Sequence, residues 1–286
     1  MERIEHQRFG EERALYGSRD LCVLHCAFAG DEDGESAFKE SRDVYVGHCD
    51  FALRYPFWHN DRLTVEDCDM RDTCRAPLWY CSDMHVKDSR LHGTKAVREC
   101  RNVRIDGCDI RSEEFGWFSQ GVRIDDSRAE GSYFLLHSRD VSMEGVSFYG
   151  KYSFQYVENC TITKCMLDTK DAFWHAKNIT VTDTDLRGEY VGWYSENLTL
   201  IRCRISGTQP FCYCKNLRLI DCELCDADLA FEKSEVYATI TTHVVSIKNP
   251  LSGCISVPSV GELIADDPQA QGQVNIREED RQTVRR

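Results

Sequence analysis

The sequence contains no stretch approaching the roughly 18 apolar residues that a membrane-crossing helix needs, so no membrane partner is expected. Its opening, Met1 to Gly10, is charged and lacks the apolar segment of about 7–15 residues that marks a secretion signal, so a cytoplasmic location is expected. No run of lysine and arginine is long enough to make a basic stripe. The balance of 35 basic against 48 acidic residues gives a net charge of −13. Such a surface repels phosphate backbones, so no nucleic-acid partner is expected. A Walker loop, a dinucleotide fingerprint, a G-x-S-x-G elbow and an H-E-x-x-H helix are all missing, and no cofactor is expected.

What is present is ample apolar material, 42% of residues with 10% aromatic, enough for a packed interior. The 16 cysteines would read as a disulfide framework in a short secreted chain; in a reducing compartment they read as free thiols.

These residues repeat. Apolar anchors fall at Val44, Leu63, Met84, Val103, Val122, Val141, Cys160, Ile179, Leu198, Leu217 and Val236, with steps of 19 and a single step of 21. An earlier anchor at Leu21 fits if four residues are inserted before Val44. Two residues past each anchor lies a second apolar column, including Val46, Val65, Ile105, Ile124, Val181 and Leu200, with polar residues between. That alternation describes a short strand with one buried face. Five past the anchor is a small column (Cys49, Cys68, Ser89, Cys108, Ser127, Cys165, Cys203, Cys222), and seven past it the chain is apolar again at Phe51, Met70, Ile110, Leu167 and Ile205. The change from even to odd offsets marks a corner. The corner before the anchor carries Asp83, Asn102, Gly121, Asp140, Asn159, Asn178, Asn197 and Asn216, residue types that tolerate left-handed backbone.

The fold class expected is all-β, a single-stranded parallel β-helix (β-solenoid) of about eleven to twelve rungs with three short strands each, stacked about 4.8 Å apart. A β-sandwich has no reason to keep residue classes at a fixed long period. No hexapeptide pattern is visible, so right-handed winding is expected. Residues 1–20 are read as an N-terminal cap and half rung, 21–247 as the parallel β-helix, and 248–286 as a closing turn and a polar tail that frays from Asp266.

Several segments then carry a resemblance. Glu12-Arg13-Ala14-Leu15, Tyr55-Pro56-Phe57-Trp58, Asp171-Ala172-Phe173-Trp174, Gly188-Glu189-Tyr190-Val191-Gly192-Trp193 and Ser246-Ile247-Lys248-Asn249-Pro250 resemble, in this order, the uncharacterised bacterial family known as domain of unknown function 3737. The resemblance spans essentially the whole chain. It implies a pectate-lyase-like parallel β-helix and no established activity.

Function is expected on the third segment of each rung. One column there holds Trp58, Trp79, Trp117, Trp174 and Trp193; the next holds His59, Tyr80, Phe118, His137, Tyr156, His175, Tyr194 and Tyr213. Successive strand residues point to opposite sides, so strand parity puts the tryptophans inside and the His/Tyr stripe outside. His137, Tyr156, Tyr194 and Tyr213, with Trp174 and Trp193, are the candidate ligand-binding residues, for a carbohydrate or for a second copy of the chain in a homo-oligomer. Lys170, Asp171 and Glu189, which flank the stripe, and His175, which stands in it, are the candidate catalytic groups, since carboxylates about 5 Å apart could pair for acid/base work on a glycoside. Lys170 and Glu189 equally suit a surface ion pair. No metal site is expected: the stacked cysteines suit core filling, and the rung spacing separates His137 from His175 by about 10 Å. The two readings are a non-enzymatic scaffold or oligomer, which is favoured, and a carbohydrate-binding or carbohydrate-active protein.

Overall fold

In the computed structural model, which describes residues 1–30 and 34–277, the anchor columns become vertical rows. Arg101–Asp106, Gln120–Asp125 and Arg139–Glu144 pair in parallel with Val103 beside Val122 and Val122 beside Val141. This is an all-β parallel solenoid of about 14 turns among the described residues. The chain divides into two compact units, Met1–Thr161 and Ile162–Arg286, and both are built this way. In the second, Lys177–Thr182 pairs with Glu196–Ile201, Ile179 lying beside Leu198 and Val181 beside Leu200.

The turns outnumber those expected because the ends are wound too. Glu2–Glu5, expected as part of a cap, pairs in register with Arg19–Leu24, and the expected closing turn holds Ser252–Val257, which pairs with Glu235–Ile240. Gln273–Ile276, inside the tail expected to fray, adds a further strand against Ser252–Val257. Its unpaired backbone groups find partners in the neighbouring edge, which outweighs the polar composition. The rest of that tail, 278–286, lies outside the described residues.

Two of the three segments in each rung are strands. The first is typically six residues long, with both apolar columns buried: Val103, Ile105, Val122 and Ile124 are at most 2% exposed. The second is shorter and contributes Phe51, Met70, Leu91 and Ile110 to the same interior. Between them runs the small column, whose polar atoms join the rungs. The Cys26 N–H donates to the Cys49 Sγ at 3.3 Å and the Cys49 N–H to the Cys68 Sγ at 3.3 Å. The N–H groups of Cys68 and Cys108 find the hydroxyls of Ser89 and Ser127 instead, each at 3.0 Å. A small side chain with an acceptor atom therefore satisfies a corner N–H that regular pairing misses.

The corners turn through left-handed backbone. Asn102 and Asp140 in the first unit have φ of 53° and 56°, and Asn178 and Asn197 in the second have 57° and 56°. No valine, isoleucine or threonine among the described residues has a positive φ. A side chain branched at Cβ collides with its own backbone there. In the second unit the corner asparagines also bond one another: the Asn197 Nδ2 donates to the Asn178 Oδ1 at 2.9 Å, and the Asn216 Nδ2 to the Asn197 Oδ1 at 2.7 Å.

Among the described residues the third segment is a regular strand at Phe57–Trp58, Leu78–Trp79 and Val97–Arg98, and again towards the C-terminal end at Val244–Lys248 and Val260–Ile264. In most other rungs it is a turn in which alternate residues are left-handed. Tyr152, Phe154 and Tyr156 have φ of 57°, 57° and 56°, and Asp171, Phe173 and His175 have 56°, 61° and 54°. That geometry carries the functional face.

Candidate binding face

Alternating left-handed residues break the inside–outside rule that governs an extended strand. The interior is filled by phenylalanines, with Phe57, Phe154, Phe173 and Phe211 fully buried. The tryptophans, expected inside, stand half-buried beside them. The next column is outside, as expected: Phe118 is 50% exposed, Tyr156 43% and Tyr194 46%.

The half-buried column is more than tryptophan. In the first unit it reads Lys39, Trp58, Trp79, Arg98, Trp117. The Lys39 Nζ lies 4.4 Å from the Trp58 ring, Trp58 stacks on Trp79 at 5.6 Å, and Arg98 sits between Trp79 and Trp117 with its Cζ 5.8 Å and 5.3 Å from them. Cations over indole faces are attracted by the ring quadrupole. Lys39 and Arg98 do not stand out in the aromatic pattern of the sequence, although each lies 19 residues from a tryptophan of the column (Trp58 and Trp117 respectively).

Hydrogen bonds separate the tryptophans into two kinds. The Trp117 Nε1 donates to the Tyr133 carbonyl at 2.7 Å. In the second unit the Trp174 Nε1 donates to the Tyr190 carbonyl at 2.7 Å and the Trp193 Nε1 to that of Gln209 at 2.8 Å. All three acceptors lie 16 residues ahead. The Nε1 atoms of Trp58 and Trp79 are buried and have no protein acceptor. The 21-residue step separates these two tryptophans, so its two extra residues lie ahead of Trp58 and behind Trp79.

The outer column stacks face to face. In the first unit Phe118 lies 5.3 Å from His137 with planes 6° apart, and His137 lies 4.6 Å from Tyr156. In the second, His175, Tyr194 and Tyr213 stack at 5.0 Å and 4.8 Å, and Trp174 on Trp193 at 5.4 Å. Each ring face is therefore occupied by the ring of the next rung. What solvent meets is a row of edges: C–H bonds, phenol hydroxyls and imidazole nitrogens. A sugar ring stacking flat on an aromatic face has no open face here, except at the end of a row.

The structure brings two of the four candidate catalytic residues into direct contact. The Lys170 Nζ lies 2.8 Å from the Glu189 Oε2 with both side chains half-exposed, and the ammonium also lies 5.1 Å from the Tyr190 ring. The bond to Glu189 raises the Lys170 pKa. Asp171 is only 6% exposed, and burial pushes its carboxyl pKa up, against the pull of Lys170 and with the help of Glu189. The His175 ring belongs to the stack. His137 and Tyr156 stand in the first unit, and the other candidate residues in the second.

Beside the outer column of the first unit lies a cleft of about 430 Å³, bordered by Arg101, Phe118, Gln120, His137, Arg139 and Tyr156.

A family described as "Protein of unknown function (DUF3737)" matches residues 2–277. The chain belongs to this family. No curated protein matches this DUF3737 chain. Among solved structures, it is similar to PfbA, a surface adhesin of Streptococcus pneumoniae, at 10% identity and a TM-score of 0.40, over 88% of this chain and 71% of that one. It is also similar to the A-module of the Azotobacter vinelandii mannuronan C-5 epimerase AlgE6, at 10% identity and a TM-score of 0.36, over 95% and 87% of the two chains. At such scores neither likeness bears on what this DUF3737 protein does.

Proposed function

We propose that the protein is a non-enzymatic solenoid that binds through the ring edges of its aromatic turn face. The observation that carries this reading is the stacked, outward-facing column itself. Within each unit a stacked row of half-exposed rings lies at the surface, and contiguous exposed apolar patches mark interfaces. The charged groups beside the second unit's column favour binding over catalysis, because Lys170 and Glu189 satisfy each other.

A carbohydrate-active enzyme is the second reading, favoured by one observation. Asp171 is buried with a raised pKa, a property of general acids. One experiment separates the two. Purified protein is incubated with a panel of uronate polymers while absorbance from unsaturated ends and new reducing ends are followed, and the same protein is passed through light scattering and a glycan-binding screen. Binding or self-association without turnover is expected, weakened by Phe118→Ser and Tyr194→Ser. Turnover that disappears in Asp171→Asn would overturn the binding reading, as would a monomer that binds nothing.

A further inference from the structure

The cleft beside Phe118, His137 and Tyr156 has a chemistry of its own, and its assignment as a site rests on the turn face being a binding surface. Arg101, Gln120 and Arg139 occupy the same place in three successive strands, Arg101 beside Gln120 and Gln120 beside Arg139. With rungs about 4.8 Å apart, the two arginines start about 10 Å from each other along one wall. Their guanidinium groups differ from those further along the same strands. Arg104 and Arg123 are held by Asp106 and Asp125 at 2.8 Å and 2.5 Å. Arg139 reaches only a neutral amide, the Gln120 Oε1 at 2.8 Å, while the Gln120 Nε2 donates to Asp140 at 3.1 Å. The amide is thus fixed at both ends and aims the Arg139 guanidinium, which feels the nearby Asp140 carboxylate but forms no ion pair with it among the described residues. Arg101 forms no side-chain hydrogen bond or ion pair with any described residue.

The cleft is also bordered by ring edges. An aromatic ring is negative on its face and positive at its edge. Stacking hides the faces of Phe118, His137 and Tyr156 and turns their positive rims outward, so the rings and the arginines both attract negative charge. Two carboxylates also border the cleft. Glu99 is engaged, its Oε1 lying 3.3 Å from the Arg98 Nε. Glu158 is exposed at the far end. A compact polyanion such as inorganic phosphate would meet Glu158 unfavourably, whereas a ligand that mixes carboxylates with hydroxyls can offer the carboxylates to the arginines and the hydroxyls to the glutamates. A volume of about 430 Å³ is within the range of small-molecule clefts.

We propose that this cleft is a binding site for a short acidic oligosaccharide, with Arg101 and Arg139 each receiving a sugar carboxylate. Guanidinium groups bind carboxylates through paired, charge-assisted hydrogen bonds, which sets the specificity for an acidic over a neutral sugar.

The test is titration calorimetry of the full chain with three probes: trigalacturonate, maltotriose and inorganic phosphate. Trigalacturonate is expected to bind, weakening as salt is added, with maltotriose and phosphate at least about tenfold weaker. Arg101→Gln and Arg139→Gln, both at exposed positions, should each weaken trigalacturonate binding about tenfold or more. Arg204→Gln, on an exposed strand position of the second unit, should leave it unchanged. Circular dichroism verifies that each variant is folded. Equal affinity for phosphate, or unchanged trigalacturonate affinity in folded Arg101→Gln and Arg139→Gln proteins, overturns the site. So does an absence of trigalacturonate binding, and in that case self-association weakened by Phe118→Ser would still leave the binding face standing.

Discussion

Trp117 and Trp79 offer a direct measurement of what the indole hydrogen bond contributes to a rung. Both are half-buried in the first unit and both pack against Arg98, yet Trp117 donates to the Tyr133 carbonyl while the Trp79 N–H is buried without a protein acceptor. Replacing either with phenylalanine removes the same ring area and keeps an aromatic face for the guanidinium, so those losses cancel in a comparison. Trp117→Phe additionally deletes a hydrogen bond with a net worth of about 0.5–1.5 kcal/mol. Trp79→Phe deletes a donor whose burial costs about 1–3 kcal/mol when unpaired. Trp117→Phe is therefore expected to be more destabilising than Trp79→Phe by the sum of the two effects, about 1.5–4.5 kcal/mol. Urea denaturation midpoints of the two variants read this difference at a shared slope. Indole N–H exchange in the wild-type protein supplies a second readout, with Trp117 protected more than Trp79. Equal destabilisation, or a larger loss in Trp79→Phe, would refute the assignment of the two tryptophans to different bonding states.

The asparagine ladder of the second unit should respond by backbone type. Asn197→Ala removes two side-chain bonds and strains a residue at φ 56°, for a loss of about 1–2 kcal/mol, whereas Asn197→Gly relieves the strain and should recover about half of it in the same urea assay. Asp171 should leave a signature in pH. Its folded pKa is raised above the ordinary 3.8, so the folded state holds its proton more tightly than the unfolded chain does. That stabilising contribution is full below the ordinary value and is lost as pH rises through the raised one. Wild type should therefore lose stability relative to Asp171→Asn as pH is raised from about 3.5 to 7, and a relative gain over that interval would contradict the burial of this carboxyl.

The sequence displayed the winding and its register because those depend on one-residue properties repeated at a fixed interval. Val103, Val122 and Val141 align without knowledge of any backbone angle, and they lie in one row. The small column was legible for the same reason, since any side chain as small as Cys49 or Ser127 fills that corner. The third segment was harder to read. Its inside–outside assignment assumed extended backbone, and alternate left-handed residues such as Phe173 and His175 remove that assumption. Phenylalanine and tryptophan are both large and apolar, so composition alone could not say which one fills the interior. A local signal did exist: the left-handed positions of these turns avoid β-branched residues, whereas ordinary strands favour them. Lys39 and Arg98 break a column defined by aromatic class, because their partnership with the indoles is electrostatic. The cleft was invisible for a different reason, since Arg101 and Arg139 look like any solvated strand residues until the pairing of their neighbours is known.

The exclusion of valine, isoleucine and threonine from every positive-φ position among the described residues has a consequence for how the chain avoids winding incorrectly. If a rung were to settle one residue out of phase, the branched anchors Val103, Val122, Val141 and Ile179 would move into the places now held by Asn102, Gly121, Asp140 and Asn178. Each left-handed branched residue would add about 1–2 kcal/mol, so the penalty accumulates with every coil added in the wrong phase. Displacement by one whole coil, in contrast, brings like onto like and is opposed only by the odd positions: the 21-residue step, the cationic interruptions among the tryptophans, and the glutamine between two arginines. The irregularities of this molecule thus act as its page numbers, telling otherwise interchangeable coils which one comes next.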